Sequence, residues 1–377
     1  MKRIVLSRIS TLILGAGTLL CACTGNVGRE VSRDNSDVEI DKTWCAKLMP
    51  PHGGGVTGGD GSISIDLTDG RSLFMWGDSF FGDVNNDLRG GDARFVIGNT
   101  FTVLNADGSI HTLHGGNPKE PSAYIPATQE GEMPTWYWPG NGFVSDGILH
   151  LFMSKFCKTG TGTFDFKYLA CNYFRLNASN LQVIDSQIFP AATVNGVHYG
   201  HAVMPLNNDV YIYGTRSKAN GTNPTLHVAK GILKDGRIEE VSYWNGSTWG
   251  NDASQSQMLE GIPNRVSEQF SVFQLKGKTV LVTQSRVGNI KEIYSYISDS
   301  PVGPFRNEQL LYTVNEPNFD ADSMMTYNAM AHPQYQKDGK ILMCYNVNTY
   351  DLEKVFKKAS LYQPRFFWID ITRILND

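Results

Sequence analysis

The sequence predicts an all-β protein, a five-bladed β-propeller, and three observations carry that prediction. Helical periodicity is almost absent from the 377 residues. Short apolar strands come instead at regular spacing, separated by turns rich in Asp, Asn and Gly, and the 38 glycines and 11% aromatic residues suit such a chain. One unit also occurs five times. Residues 57–82 read TGGDGSISIDLTDGRSLFMWGDSFFG, and the pattern returns as GNGFVSDGILHLFMSKF, GHAVMPLNNDVYIYGTR, EQFSVFQLKGKTVLVTQSR and HPQYQKDGKILMCYNVN. Each copy has a polar residue, a strand, a turn and an apolar strand ending in a polar residue. Each continues into a second hairpin, as at 100–104 with 110–113, 226–232 with 238–244, and 292–298 with 305–314. Four strands repeated at roughly 45–75 residues suit a propeller. A β-sandwich would also explain many short strands, but not five similar units.

The N-terminus reads as a targeting segment. Lys2, Arg3 and Arg8 precede an apolar stretch at 9–20, and Leu20-Cys21-Ala22-Cys23 resembles a bacterial lipobox with Cys23 as the lipidated residue. An ordinary secretory signal that happens to contain cysteines is the plain alternative. The expected organisation is a signal peptide at 1–22, a polar tether at 23–41 and a propeller domain at 42–377. Thr24 after Cys23 points to the outer membrane, reached through an N-terminal lipid anchor, with the chain a monomer. Export permits disulfides, so Cys157 with Cys171 and Cys45 with Cys344 are the pairs to test. No Cys-x-x-Cys or His/Cys cluster indicates zinc, and neither a metal nor a cofactor is expected. A net charge of −4 gives no electrostatic case for nucleic acid.

The first hairpin sets the expected site. Ile63, Ile65 and Leu67 alternate with polar residues, Asp69-Gly70 marks the turn, and the return strand runs from Leu73 to Gly77. Asp60 and Asp78 therefore come back to one end. Opposed residues in such a pair lie ~5 Å apart and diagonal ones ~7–8 Å, which overlaps the separations used by glycosidases. Taken alone, both acids also fit ordinary turns. In a propeller, however, every first strand starts, and every second strand ends, at one axial face. The residues there would be Asp60 and Asp78, Asn141 and Lys155, His201 and Arg216, Glu268 and Arg286, and His332 and Asn346.

Glycoside hydrolysis needs one protonated and one ionised carboxyl. Asp60 and Asp78 are the expected working pair, with Glu268 a third acid that orients a partner or donates the proton. His201 and His332 would bind hydroxyls, tune a carboxylate or help hold an ion in the channel, unless they are core residues. Arg216 and Arg286 suit carboxylates or sugar oxygens, or pair with Asp78 and Glu268. Asn141 and Asn346 complete the polar lining. Trp136, Tyr137 and Trp138 offer a surface on which sugar rings stack, with Trp138 nearest the axial face.

Several of these stretches resemble a known family. GGDGSISI, MWGDSFFG, GNGF, YGHAVM, EQFSVF and YNAMAHPQYQKDGKILMCYNVN are similar to the exported five-bladed propeller family, long known only as a domain of unknown function, that includes endo-D-arabinanases. ISDSPVGPF at 297–305 resembles an element of propeller glycosidases such as family 43. The resemblance runs from about Gly54 onward. It implies two catalytic Asp residues in the first blade, which fall on Asp60 and Asp78, in a lipoprotein like those that harvest glycans in Bacteroidetes.

The function expected is therefore a glycoside hydrolase of the outer membrane or periplasm, cleaving a polysaccharide or oligosaccharide, with an arabinan-like furanoside polymer in view. A non-catalytic glycan-binding lipoprotein is the alternative. A lyase, or an enzyme for anionic sugars, is a third reading, drawn from Lys155, Arg216 and Arg286.

Overall fold

In the computed structural model, residues 35, 38–129, 131–189, 194–217, 224–262, 266–285 and 291–376 are described, so Cys23, the signal peptide and Arg286 lie outside the described residues. Five antiparallel sheets carry the architecture. The first comprises Ile63–Asp66, Ser72–Trp76, Thr100–Leu104 and Ile110–Leu113. The second comprises Thr135–Ser145, Ile148–Lys158, Phe166–Asn177 and Val183–Ile188. The third runs from His198–Leu206 and Asp209–Arg216 to Thr225–Lys234 and Arg237–Trp244, with Trp249–Gly250 as an added edge. The fourth holds Ser271–Leu275, Lys278–Gln284, Glu292–Ser298 and Arg306–Thr313. In the fifth, Met324–Lys337, Lys340–Thr349 and Arg365–Asp370 are completed by the N-terminal strand Glu39–Asp41. The first strands touch in a closed circle: Ile63–Asp66, Thr135–Ser145, His198–Leu206, Ser271–Leu275, Met324–Lys337 and back to Ile63–Asp66. This is the predicted all-β propeller.

The core consists of slabs between neighbouring blades. Leu342 faces the slab shared with the first blade, while Ile341 and Met343 face the slab shared with the fourth. A strand buried on both faces has no polar side to show. That is why 341–344 reads ILMC and why Leu73, Phe74, Met75 and Trp76 are all fully buried. Each such side chain contributes roughly 1.5–3 kcal/mol through burial.

Blade closure differs from expectation. Glu39–Asp41 was expected in the tether, yet Glu39 pairs with Trp368 and Asp41 with Phe366. Three residues carry no readable periodicity, so only the partner strand makes them a strand. Asp41 accepts from Trp368 Nε1 at 2.9 Å with one oxygen. Its other oxygen accepts from Thr43 N at 2.9 Å and so caps the helix Lys42–Leu48. Lys337 and Lys340 both reach Glu39.

The disulfide expectation is also corrected, because Cys45, Cys157, Cys171 and Cys344 are free thiols. In the second blade Cys157 pairs with Lys167 and Cys171 with Ser154, so the two cysteines sit at different levels of the ladder. Among the described residues no helix is long and apolar enough to cross a membrane.

Candidate active site

The first blade brings Asp60 and Asp78 close together in the gap between two short ladders. Ile63 pairs with Met75 on one side of them and Gly59 with Ser79 on the other, and between these ladders Gly61 and Ser62 take positive φ and interrupt the pairing. Gly77 N donates to Asp60 O at 2.8 Å between the two ladders. A Cβ at 77 would lie 2.6 Å from Asp60 Oδ1, so a larger residue there would displace that carboxyl.

The two carboxyl groups are held by different chemistry. Tyr327, from the first strand of the fifth blade, donates its hydroxyl to Asp60 Oδ2 at 2.7 Å. The Tyr362 hydroxyl lies beside the Asp60 carboxyl and donates to Asp78 O at 3.2 Å. Burial raises the Asp60 pKa, and the two tyrosines partly offset this. Both hydroxyls are themselves pushed well above the usual tyrosine range by burial and the Asp60 charge, so they stay protonated donors.

Asp78 takes two N–H donors on a single oxygen, Oδ1: Trp138 Nε1 at 2.7 Å and Gly98 N at 2.9 Å. Burial, followed by the charge of Asp60, pushes Asp78 up to about 7 despite these donors. With Oδ1 occupied, the proton belongs on Oδ2. Gly98 has φ +117° and lies 3.3 Å from Tyr137 O at its would-be Cβ, a conformation and fit that favour glycine. Asn99 locks this loop to the second blade by donating to Ile125 O and Tyr137 O.

A second centre forms around Glu268. His198 Nδ1 lies 3.0 Å and His201 Nε2 3.6 Å from Glu268 Oε1. Burial would raise this carboxyl, but the bond from His198 and the adjacent His201 hold it well below the usual range. The two imidazoles favour the ionised form of Glu268, the reverse of what a proton donor needs. Residues three apart in a strand normally point to opposite faces. The ladder is interrupted between Tyr199 and Ala202, and this lets His198 and His201 reach one acid.

The two centres share a wall and a floor. Trp138 contacts Phe156, Phe156 contacts Tyr168, and Tyr168 stacks on His198 with centroids 3.7 Å apart. Trp136 and Phe166 thicken this aromatic wall. Below it, Gln269 of the fourth blade donates to Pro139 O of the second at 3.1 Å and accepts from Asn328 at 3.0 Å. These blades are not neighbours in the circle, so Gln269 spans the axis. Asn328 holds a left-handed φ of 52° there.

The remaining expected residues are placed as follows. His332 is fully buried, with Nδ1 2.7 Å from Ser64 Oγ and Nε2 3.3 Å from Cys344 Sγ. It has no surface to offer a sugar, and burial lowers its pKa to about 3. The fifth blade's first strand begins at Met324, well before the start implied by Pro333. Pro333 lies instead in a ladder interruption between His332 and Gln336, where the missing N–H is tolerated. Tyr327 consequently takes the axial position expected of His332.

Asn346 is also fully buried, accepting from Ser62 and donating to Asn328 O. Asn141 sits in a ladder interruption and accepts from its neighbour Gly142 N. Lys155 is buried opposite Tyr137, on the other face of the sheet from Trp138. The charge of Arg216 is felt by Tyr199 and His227, and the expected pairing with Asp78 or Glu268 is not made among the described residues.

Comparison with known proteins bears on fold and family. The structure superposes on a Bacteroides ovatus protein to which hydrolase activity has been ascribed, with TM-score 0.73 and 17% identity over 93% of this chain and 99% of that one. An endo-arabinase from Bacteroides thetaiotaomicron aligns at TM-score 0.41 and 13% identity, over 75% of this chain and 87% of that one. A Coprinopsis cinerea family 62 α-L-arabinofuranosidase aligns at 0.44 and 10%, over 83% and 91%. Those two superpositions are too loose to equate individual residues. No curated protein matches in sequence. Residues 51–371 match the family described as a domain of unknown function, DUF5005, and the chain belongs to that family.

Proposed function

We propose that this protein is a glycoside hydrolase that cleaves a polysaccharide at the axial face of the propeller. The observation that carries the reading is the unequal treatment of two neighbouring carboxyl groups. Asp78, pushed up to about 7, keeps a proton on Oδ2 for the leaving oxygen. Asp60, which accepts the Tyr327 hydroxyl, is the ionised partner that acts at the anomeric carbon, directly or through water. The aromatic wall from Trp138 to His198 supplies faces for sugar rings.

The sequence resemblance makes furanoside polymers of the arabinan type the first substrates to screen. Lipidation at Cys23 would anchor the enzyme to the cell envelope, in the outer membrane. The experiment is a glycan screen with wild type, Asp60→Asn and Asp78→Asn. Wild type should release reducing ends, and both variants should lose turnover while still binding the substrate. A wild-type protein that binds a glycan and never cleaves it is a binding lipoprotein, and the hydrolase reading then fails.

A further inference from the structure

We propose that His198, His201 and Glu268 form a binding site for a divalent transition-metal ion of the zinc class, with one coordination position open towards the axial cleft. The proposal stands independently of the glycosidase reading. The three side chains offer two imidazole nitrogens and one carboxylate oxygen, the donor set of zinc sites that keep an open position. Their ligand atoms all lie within 4.8 Å of one another. For metal–ligand bonds of about 2.0–2.2 Å, a tetrahedron separates its donors by roughly 3.3–3.6 Å. The observed 3.0 Å from His198 and 3.6 Å from His201 to Glu268 Oε1 straddle that spacing, so a small adjustment opens the set around an ion.

A second observation points the same way. His201 is only 4% exposed, yet neither ring nitrogen has a hydrogen-bond partner among the described residues. Leaving buried polar atoms without partners costs about 1–3 kcal/mol each. Coordination through Nε2 would satisfy the atom aimed at Glu268. Beside it the buried Tyr168 hydroxyl also has no partner, while its ring stacks on His198. That hydroxyl could donate to a water or substrate oxygen in the open position, as outer-shell groups at metal sites do. The strand interruption that brings His198 and His201 together makes the site a feature of the fold rather than of one flexible side chain.

The test uses untagged full-length wild type, stripped with a chelator, reloaded with zinc ion alone and passed through gel filtration before elemental analysis. About one zinc per chain is expected. Glu268→Gln and His198→Ala should each weaken zinc binding by at least ~10-fold, with circular dichroism confirming the fold. Cobalt-loaded wild type should show visible d–d absorption, a readout that requires no variant and no turnover. Wild type retaining no zinc, a colourless cobalt form, or folded variants that bind zinc as wild type does would each overturn the proposal.

Discussion

Asp78→Asn should make the protein more stable, and only where Asp78 would otherwise be charged. Asparagine keeps an acceptor where Oδ1 stands, so the bonds from Trp138 and Gly98, 2.7 and 2.9 Å long, can persist. What disappears is the ionisable proton. Folding raises Asp78 from 3.8 to about 7. Below the lower value both folded and unfolded chains hold the proton, and Asp78 costs nothing. As pH climbs from there, the unfolded chain ionises first, and stability is lost until pH passes the folded value. At about 1.4 kcal/mol per pH unit the full loss approaches ~4 kcal/mol. Relaxation around a partly exposed side chain reduces this to roughly 2–4 kcal/mol. Removing the Asp78 charge also eases ionisation of Asp60, which acts in the same direction. Urea unfolding of both proteins at about pH 4 and about pH 8 measures the effect. The variant should gain stability over wild type at the higher pH and little at the lower. An equal difference at both pH values would refute the raised pKa and the proton-donor role built on it.

Three further outcomes follow from the same geometry. Trp138→Phe removes an N–H donor from Asp78 and should move the alkaline limb of the kcat/KM profile upward by roughly one pH unit. Tyr327→Phe removes the 2.7 Å donor to Asp60, so the acidic limb should move upward and kcat/KM should fall ~10–100-fold. His332→Ala should cost ~2–4 kcal/mol in urea unfolding, because it empties a fully buried site and removes the bond to Ser64. Turnover per folded molecule should be retained, since His332 has no exposed surface.

The first blade was legible because its hairpin is local. The turn at Asp69-Gly70 and the alternating strand bring Asp60 and Asp78 to one end of the hairpin, and the loop closed by Leu67 N donating to Arg71 O sets the pairing of Ile63 with Met75. The outer strands Thr100–Leu104 and Glu292–Ser298 were legible for the same reason. Where a ladder is interrupted, counting by twos fails. The break at Tyr199 hid the partnership of His198 with Glu268, seventy residues away in sequence. The break at Pro333 made a mid-strand histidine look like a strand start, which displaced attention from Tyr327. Gly98 gave no motif at all, because its role depends on a loop that Asn99 ties to another blade. Glu39–Asp41 is a strand only by virtue of Arg365–Asp370 at the far end of the chain.

The central claim is that Asp60 and Asp78 together cleave a glycosidic bond. Its most direct test is reducing-end release from a screened glycan by wild type, Asp60→Asn and Asp78→Asn, with binding of the same glycan measured in parallel. The account predicts hydrolysis by wild type, a loss of at least ~1000-fold in each variant, and binding within a few-fold of wild type. A glycan cleaved equally well by all three proteins would contradict it.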